Sequence, residues 1–331
     1  MRQRGRGASR FVLKIRKGKR LTMHGIWPIL YAYFTQAGTL DREAMRWQVQ
    51  TAVRSGSPGV AILGLATEVN KLSVQEKYDV IAWAAQDLEG AAPMAVTISG
   101  PTVQEQLKLA EVALGYGASY LVLQPPLRKE VPIAEAELEA FFQRVLEGLA
   151  QMSPKTPVGI QNAPEYLGIG LDATALVRLR SRCSNFRFLK GEAPSVIIEK
   201  TVQFVGPNFP VLNGRGGLEL IDNLRAGCAG MIVAPECAFE QARIADFYGH
   251  GAIEEAQAHY ERVLPTISFV MQSLDALVVY GKRIAAWRSG MDVHHDRQCA
   301  LTPSAFGLAA ARRFARQLGP LPGCTLHPDV I

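Results

Sequence analysis

Cysteine is scarce in this 331-residue sequence, and its spacing fits neither a disulfide framework nor a metal site. The five cysteines are Cys183, Cys228, Cys237, Cys299 and Cys324, and no two of them stand in a Cys-x-x-Cys motif. An odd and scattered set argues against both paired disulfides and a zinc knuckle. We therefore expect a protein of a reducing compartment, the cytoplasm, that uses no metal and no other cofactor.

Long apolar runs are also missing. Every hydrophobic stretch is interrupted by a charged residue, a glycine or a proline within about ten positions, whereas a helix that spans a bilayer needs roughly 20 apolar residues. The 331 residues are 48% hydrophobic, which is enough for one large domain or two ordinary ones. The sequence predicts a globular protein without a membrane partner.

Acidic residues are absent from the first 22 positions, which hold nine of the 36 lysines and arginines. The rest of the chain has 27 basic residues against 30 acidic ones, so the formal charge of +6 comes from this leader. A mildly acidic body gives no reason to expect a nucleic-acid partner. We predict that residues 1–22 are a basic flexible leader without a chemical role; a targeting segment, or an upstream start codon ahead of Met23, are the alternatives.

Short apolar runs alternate with amphipathic segments of helical length along the body of the chain. Eight parallel βαβ units of this kind predict a closed (β/α)8 TIM barrel, which we place at residues 23–235. The predicted strands are 26–32, 59–64, 93–98, 120–124, 157–161, 186–190, 209–213 and 230–234. A doubly wound sheet is the alternative, but the segment after the first strand, YFTQAGTLDRE, is not the Gly-rich phosphate turn typical of that fold.

Two of the intervening helices have clear starts. Ser73 with Glu76 and Thr102 with Glu105 match the capping box, in which side chains bind the free amides of the first turn.

The pattern becomes purely helical after Pro235. Helices are predicted at 236–248, 252–272, 274–288 and 303–318, and we expect residues 236–331 to form a helical C-terminal extension packed on the barrel. The segment VHHDRQC at 293–299 holds two adjacent histidines. Adjacent histidines on a loop point apart, so we predict a surface loop there rather than a metal site.

Lys190 ends an apolar run that otherwise reads as a buried strand, FRFLK. In a barrel of this kind the chemistry lies at the carboxyl ends of the strands. Burial removes water from an ammonium group and favours the neutral amine, which can attack a carbonyl carbon. The alternative is structural: Lys190 forms an ion pair with Glu192 or extends to the solvent at the rim.

Three motifs at the strand ends resemble those of the dihydrodipicolinate synthase/N-acetylneuraminate lyase family of Schiff-base aldolases. The first is Gly-Leu-Ala-Thr-Glu at 64–68 followed by Leu-Ser at 72–73, the second is Asn-Ala-Pro at 162–164 with Gly168, and the third is Lys190 itself. The resemblance runs from about His24 to Gly290. It implies that Lys190 captures a 2-oxo acid as an imine, and that the protein is a homotetramer built from dimers.

The sequence departs from the usual family pattern at several of these positions. Gln161 and Leu127 stand where the family has its two relay tyrosines, and Tyr166 stands where the synthases have an arginine. The paired threonines of the turn after the second strand are replaced by Leu65 and Ala66. These departures argue against a dihydrodipicolinate synthase or a sialic-acid lyase.

One branch of the family, the 2-keto-3-deoxy-L-arabonate dehydratases, resembles this sequence more closely. The shared features are Gln-x-Ala-Pro at 161–164, Thr-Glu at 67–68, Pro-Pro at 125–126 and Lys-x-Glu at 190–192. Dehydration needs a base at C3 of the imine and an acid at the C4 hydroxyl, and Glu192 can supply both unless it only pairs with a cation. Gln161 would orient a substrate hydroxyl or a water molecule.

The substrate itself would be held by the turn after the second strand and by the ends of the last two strands. The hydroxyl of Thr67 and the amides of the turn suit a carboxylate. The predicted substrate-binding residues are Leu65, Ala66, Thr67, Asn213, Arg215 and Ile232, with Glu68 and Asn162 as their hydrogen-bond partners. Arg215 stands in Gly-Arg-Gly-Gly, which is also what an ordinary strand-to-helix turn looks like.

The sequence therefore predicts a lyase that dehydrates a small 2-oxo acid, a 2-keto-3-deoxy sugar acid. A carbon–carbon aldolase that uses pyruvate, or an enzyme similar to dihydrodipicolinate synthase, is the alternative of the same class. A barrel that binds 2-oxo acids without reaction is the alternative of another class, favoured by the loss of both relay tyrosines.

Overall fold

The computed structural model describes residues 23–126 and 133–330. The predicted basic leader, residues 1–22, lies outside the described residues, as does Leu127.

Eight parallel strands of the described chain form one sheet with the order β1-β8-β7-β6-β5-β4-β3-β2. The strands are β1 Gly25–Pro28, β2 Val60–Ile62, β3 Met94–Ile98, β4 Tyr120–Leu123, β5 Val158–Asn162, β6 Phe186–Gly191, β7 Val211–Asn213 and β8 Gly230–Val233. A parallel bridge between Ile29 and Ala61 links the two ends of the sheet and closes it into a barrel. The predicted (β/α)8 TIM barrel is confirmed. Every strand falls inside a predicted run or extends beyond it by one residue, and several strands are shorter than their runs.

Helices surround the barrel and follow it at its C-terminal end. They are α1 Arg42–Arg54, α2 Val74–Leu88, α3 Val103–Gly115, α4 Glu135–Met152, α5 Pro164–Leu167, α6 Ala173–Arg182, α7 Ser195–Val205, α8 Leu220–Arg225, α9 Pro235–Gly249, α10 Ile253–Val270, α11 Leu274–Ala276, α12 Lys282–Arg288 and α13 Ala305–Leu318. A π-helical turn, Leu277–Gly281, joins α11 to α12. Two 3-10 turns lie at Val69–Lys71 and Pro328–Val330.

Both predicted capping boxes are present. Ser73 Oγ accepts from the amide of Glu76, whose carboxylate accepts from the amide of Ser73, and Thr102 and Glu105 exchange the same pair of bonds. Amides of the first turn that would otherwise lack partners are thereby satisfied. The sequence predicts the starts of α2 and α3 correctly.

An aromatic cluster fills the interior of the barrel. Trp27, Tyr120 and Phe188 meet edge to face, with ring centroids 5.4 and 5.9 Å apart. Gly159 on β5 makes room for this cluster, because a Cβ atom there would lie 2.3 Å from the ring of Phe188. Phe188 precedes Lys190 by two residues on β6, so the cluster forms the floor beneath the strand end that carries the lysine.

The C-terminal helices pack on one side of the barrel. α9 contacts β1 and β8, and α10 packs on α9, through a buried cluster that includes Ile26, Met231, Ile244 and Ile267. The boundary proposed between residues 235 and 236 thus falls at the start of a helix that packs against the strands. None of the single helices in the described chain is long and apolar enough to cross a membrane; α10 and the segment Leu274–Arg288 meet the length and composition criteria only as a pair, bent by 108°.

A buried polar contact joins the segment that follows β1 to α9 and α12. Tyr31 Oη donates to Glu236 Oε2 at 2.7 Å, and Arg288 Nη1 donates to the backbone carbonyl of Glu236. Burial raises the pKa of Glu236 from 4.5 to about 7, while the hydrogen bond from Tyr31 acts in the opposite direction. Glu236 therefore prefers to be protonated in the folded protein over a range where it is ionised in the unfolded chain.

We expect Gly159→Ala to lower the free energy of unfolding by about 1–3 kcal/mol, because the added methyl group overlaps the ring of Phe188. Gly115→Ala is the matched control. Its Cβ meets nothing within 4 Å at the end of α3, and alanine favours the helix, so the change should be neutral or stabilising by up to about 1 kcal/mol. Urea unfolding followed by circular dichroism measures both variants. Equal effects of the two substitutions would contradict the packing of Gly159 described here.

We expect the free energy of unfolding of Glu236→Gln, relative to that of the wild type, to increase as pH rises. The folded protein binds the extra proton between pH 4.5 and about 7, so the wild type loses stability across that range and the glutamine variant does not. The difference in free energy of unfolding should increase by up to about 3 kcal/mol between pH 4 and pH 8. Urea unfolding at several pH values measures it, and a difference that does not change with pH would contradict the assigned burial of the carboxyl group.

Candidate active site

The lysine that ends β6 lies inside the barrel. Phe188 and Lys190 face the interior, whereas Leu189 between them packs under the surrounding helices. This alternation follows the two-residue period of a strand. Lys190 is 3% exposed, so its charged end lies among interior groups rather than in the solvent at the rim.

Lys190, Glu192 and Gln161 form one hydrogen-bonded group. Lys190 Nζ lies 2.7 Å from Glu192 Oε1, and Gln161 Nε2 donates to the same oxygen at 2.9 Å. Gln161 and Lys190 are register partners on the neighbouring strands β5 and β6. The structure brings together the three residues predicted to be catalytic, and it also contains the ion pair given as the structural alternative.

The ion pair and a nucleophilic role are compatible. Two opposite charges removed from water lose their free energy of hydration, and their mutual attraction offsets this loss only in part. Transfer of one proton from Lys190 to Glu192 removes both charges and leaves a free amine beside a neutral acid. The contact of 2.7 Å is short enough for that transfer to occur directly.

A small cavity, partly open to solvent, lies at the carboxyl ends of the strands above Lys190. Its wall contains three titratable groups, Lys190, Glu192 and Tyr166, among the residues that the structure describes. The other lining residues are Ile29, Leu65, Ala66, Gly214, Gly216, Ile232, Val233, Ala234, Met271, Leu274 and Leu277. Three of the predicted substrate-binding residues, Leu65, Ala66 and Ile232, therefore lie at the cavity.

The position of Glu192 depends on a glycine opposite it. A Cβ atom at Gly214 would lie 2.6 Å from Glu192 Oε1, so any larger residue would displace the carboxylate from Lys190. The side-chain oxygen of Gln161 has no partner, because this Oε1 is buried and accepts no hydrogen bond within the described part of the chain. That oxygen is a hydrogen-bond acceptor beside Glu192, although Gln161 itself is outside the residues that line the cavity.

The turn after β2 forms one wall of the cavity. The hydrogen bonds of the described residues leave the amides of Leu65, Ala66 and Thr67 without a partner. The Thr67 side chain is buried, and its Oγ1 donates to the backbone carbonyl of Leu30 at 2.6 Å. The Thr67 hydroxyl was predicted to bind the substrate carboxylate, but its proton already binds the turn to the segment that follows β1. Among the described residues, the three amides are the donors without a partner.

Arg215 lies at the rim and is held by two carboxylates. It is 2.9 Å from Glu165 and 2.8 Å from Glu219, and it is outside the set of residues that line the cavity. Tyr166, which stands where the synthases of the family have an arginine, does line the cavity and hydrogen-bonds with Arg215. Burial raises the pKa of Tyr166, and Arg215 opposes this rise, so the phenol is protonated near neutral pH and can donate a hydrogen bond.

Asn213 and Asn162 hold backbone segments together. Asn213 Nδ2 donates to the carbonyl of Ala193 and to Asn223 Oδ1, both at 2.9 Å. The Asn162 amide exchanges two hydrogen bonds with the backbone of Leu171, which fixes the segment after α5. Their side chains face these partners, so the structure does not bring Asn213 to the cavity with the predicted catalytic group.

Glu68 also has partners that the sequence analysis did not identify. Its carboxylate pairs with Lys71 at 2.7 Å and with Lys282, a fully buried lysine of α12. Lys282 is one of two adjacent cations in an otherwise apolar stretch, LVVYGKRIAAW, at 277–287. A lysine in such a stretch signals a buried partner, but the sequence does not show that the partner lies more than 200 residues away in the turn after β2.

Residues from beyond the barrel complete the cavity. Met271 follows α10, Leu274 begins α11 and Leu277 begins the π-helical turn, and all three line the cavity. The sequence predicts helices here but does not show that their residues line the site. Within the described residues, no group of three or more histidine, cysteine, aspartate or glutamate side chains could hold a metal ion.

Known proteins are similar to this chain over most of its length. A family model described as the Dihydrodipicolinate synthetase family matches residues 22–301. The chain is 24% identical over 248 residues to the L-2-keto-3-deoxyarabonate dehydratase of Azospirillum brasilense, covering 74% of this chain and 78% of that one. It is 27% identical over 214 residues to a protein of Escherichia coli K12 named as a probable 2-dehydro-3-deoxy-D-pentonate aldolase, covering 63% and 68%.

Solved structures agree in fold. The dihydrodipicolinate synthase of Aquifex aeolicus superposes with a TM-score of 0.80 at 20% identity, covering 91% of this chain and 99% of that one. YagE of Escherichia coli K12, a member of the dihydrodipicolinic acid synthase family solved with pyruvate, gives a TM-score of 0.80 at 21% identity, covering 90% and 99%. Because the family model matches most of the chain and the similar proteins are named as enzymes of this kind, the protein belongs to the dihydrodipicolinate synthetase family of lyases.

Proposed function

We propose that this lyase binds a small 2-oxo acid as an imine on Lys190 and dehydrates a 2-keto-3-deoxy sugar acid. One observation carries the proposal: a buried amine lies 2.7 Å from a buried carboxylate, and both line a cavity at the strand ends. The similarity to a protein named L-2-keto-3-deoxyarabonate dehydratase supports the substrate class.

The substrate carboxylate binds at the turn after β2. The amides of Leu65, Ala66 and Thr67 have no partner among the described residues, and two of these residues line the cavity. Successive free amides in a turn form a concave site for an anion. This placement sets the ketone carbon, next to the carboxylate, toward Lys190.

Imine formation uses Lys190 and Glu192 together. The amine of Lys190 attacks C2, and the ketone oxygen takes a proton from the acid form of Glu192. Loss of that oxygen as water then gives the protonated imine. The imine draws electrons from C2 and makes the hydrogens on C3 acidic.

Dehydration follows on the same side chains. Glu192 removes a proton from C3, the C4–O bond breaks, and Glu192 returns the proton to the departing hydroxide, which leaves as water. Hydrolysis of the imine then frees Lys190 and releases the dehydrated acid. A positioned acid–base group of this kind contributes roughly 10²–10⁴-fold to rate.

Gln161 favours dehydration over carbon–carbon cleavage. Cleavage requires a base to remove the proton of the C4 hydroxyl, and an amide is too weak a base to do so. The unpartnered Oε1 of Gln161 can accept a hydrogen bond from that hydroxyl and orient its C–O bond for departure. The aldolase remains the second candidate because a relative is named as one.

Product analysis separates these candidates. With a 2-keto-3-deoxy sugar acid, we expect a product with the carbon skeleton of the substrate and one water fewer, detected by mass spectrometry. Release of pyruvate and an aldehyde would show the aldolase instead. Substrate binding without any turnover would favour the non-reacting barrel.

Borohydride treatment with pyruvate should add irreversible mass at Lys190, because reduction converts the imine into a stable secondary amine. Lys190→Met should abolish this label. Lys200→Ala is the control, since Lys200 is exposed on α7, and its label should equal that of the wild type. Peptide mapping by mass spectrometry locates the label, and an unlabelled Lys190 in the wild type would contradict the imine.

Glu192→Gln should lower the rate of dehydration at least 100-fold, since an amide can neither take the C3 proton nor return it. The label at Lys190 should persist in this variant after long incubation. Glu199→Gln, on α7 and away from the cavity, should react like the wild type. Dehydration by Glu192→Gln at the wild-type rate would contradict the role of this carboxylate.

A further inference from the structure

An ion pair that the reaction does not use joins the turn after β2 to α12. Lys282 Nζ donates to Glu68 Oε1, and the exposed fractions of these residues are 0% and 2%. Such a pair contributes little to stability by itself, because both ions lose their hydration. Stability of the fold alone therefore does not explain why the pair lies at this position.

Glu68 ends the turn that forms the cavity wall. Its backbone φ of 56° is in the left-handed region, which costs free energy in a residue other than glycine and persists only where the surroundings enforce it. The amide of Glu68 also closes the turn by donating to the carbonyl of Leu65 at 2.9 Å. The conformation of the free amides thus depends on how Glu68 is held.

Lys282 belongs to the segment that covers the cavity. It directly follows the π-helical turn, whose first residue, Leu277, lines the cavity. Tyr33 Oη donates to the backbone carbonyl of Lys282 at 3.2 Å, which fixes the start of α12 against the segment that follows β1. Single π-helical turns inside a helix often occur at functional sites.

We propose that Lys282 is a positioning residue for substrate binding. Through Glu68 it holds the turn so that the amides of Leu65, Ala66 and Thr67 receive the carboxylate of the 2-oxo acid. The inference rests on the proposed function, because it assigns a purpose to the turn only if a 2-oxo acid binds there. Lys71 also pairs with Glu68, but it lies three residues along the same stretch, and its side chain reaches a distant segment only through a long contact with Cys299 Sγ at 3.7 Å.

Three variants separate this role from a general contribution to stability. Lys282→Met removes the cation from α12, and Lys71→Met is the matched control, since it removes the other cation from the same carboxylate. Lys282→Met combined with Glu68→Gln removes both buried charges. The double variant should regain part of any thermal stability that Lys282→Met loses, because no carboxylate is left without its buried partner.

The probes are two ketones of similar size, pyruvate and hydroxyacetone. Both can form an imine on Lys190 that borohydride reduces, but only pyruvate has a carboxylate for the turn to bind. The measured quantity is the ratio of the labelling efficiencies of pyruvate and hydroxyacetone at Lys190. We expect this ratio to fall at least tenfold in Lys282→Met and in the double variant, and to stay within twofold of the wild type in Lys71→Met.

The outcomes distinguish the two proposals. If wild-type Lys190 takes no label from pyruvate, the proposed function fails and this inference fails with it. If the wild type is labelled and the double variant keeps the wild-type ratio, the inference alone fails. A parallel loss of both labels also leaves the ratio unchanged, and it would show that Lys282 only maintains the fold.

Discussion

The contact between Lys190 and Glu192 is the constraint on which the rest of the site depends. An amine and a carboxylate 2.7 Å apart, each less than 5% exposed, are costly to keep charged in a barrel interior. Each lies against the other, and Gln161 donates a further hydrogen bond to the carboxylate. In the proposed mechanism a proton passes from the amine to the carboxylate, which gives the neutral amine and the acid that imine formation would use.

The barrel places this pair by strand geometry. Residues 188 and 190 share the inward face of β6, so an aromatic floor lies beneath the amine, and the parallel register sets Gln161 beside it. The absence of a side chain at Gly214 leaves the space that the Glu192 carboxylate occupies. Because the three polar side chains come from adjacent strand ends, little backbone freedom remains in the site.

Much of the fold and the centre of the site could be predicted from sequence. Periodicity and capping boxes identify the strands and the starts of α2 and α3. The rule that catalytic residues lie at strand ends selects Lys190, and the family resemblance adds Glu192 and Gln161. The partners of Thr67, Asn213 and Arg215 could not be predicted, since each depends on side chains or carbonyls brought close by the folded chain. The Glu68–Lys282 pair was missed for the same reason, and the homotetramer and the cytoplasmic location stay predictions.

A crystal structure of the protein soaked in pyruvate tests the central claim most directly. The account predicts continuous electron density from Lys190 Nζ to C2 of the ligand, with the ligand carboxylate within hydrogen-bonding distance of the amides of Leu65 to Thr67. Glu192 should then have lost its direct partner and face the ligand. An unmodified Lys190, still paired with Glu192 in a cavity without pyruvate, would contradict the account.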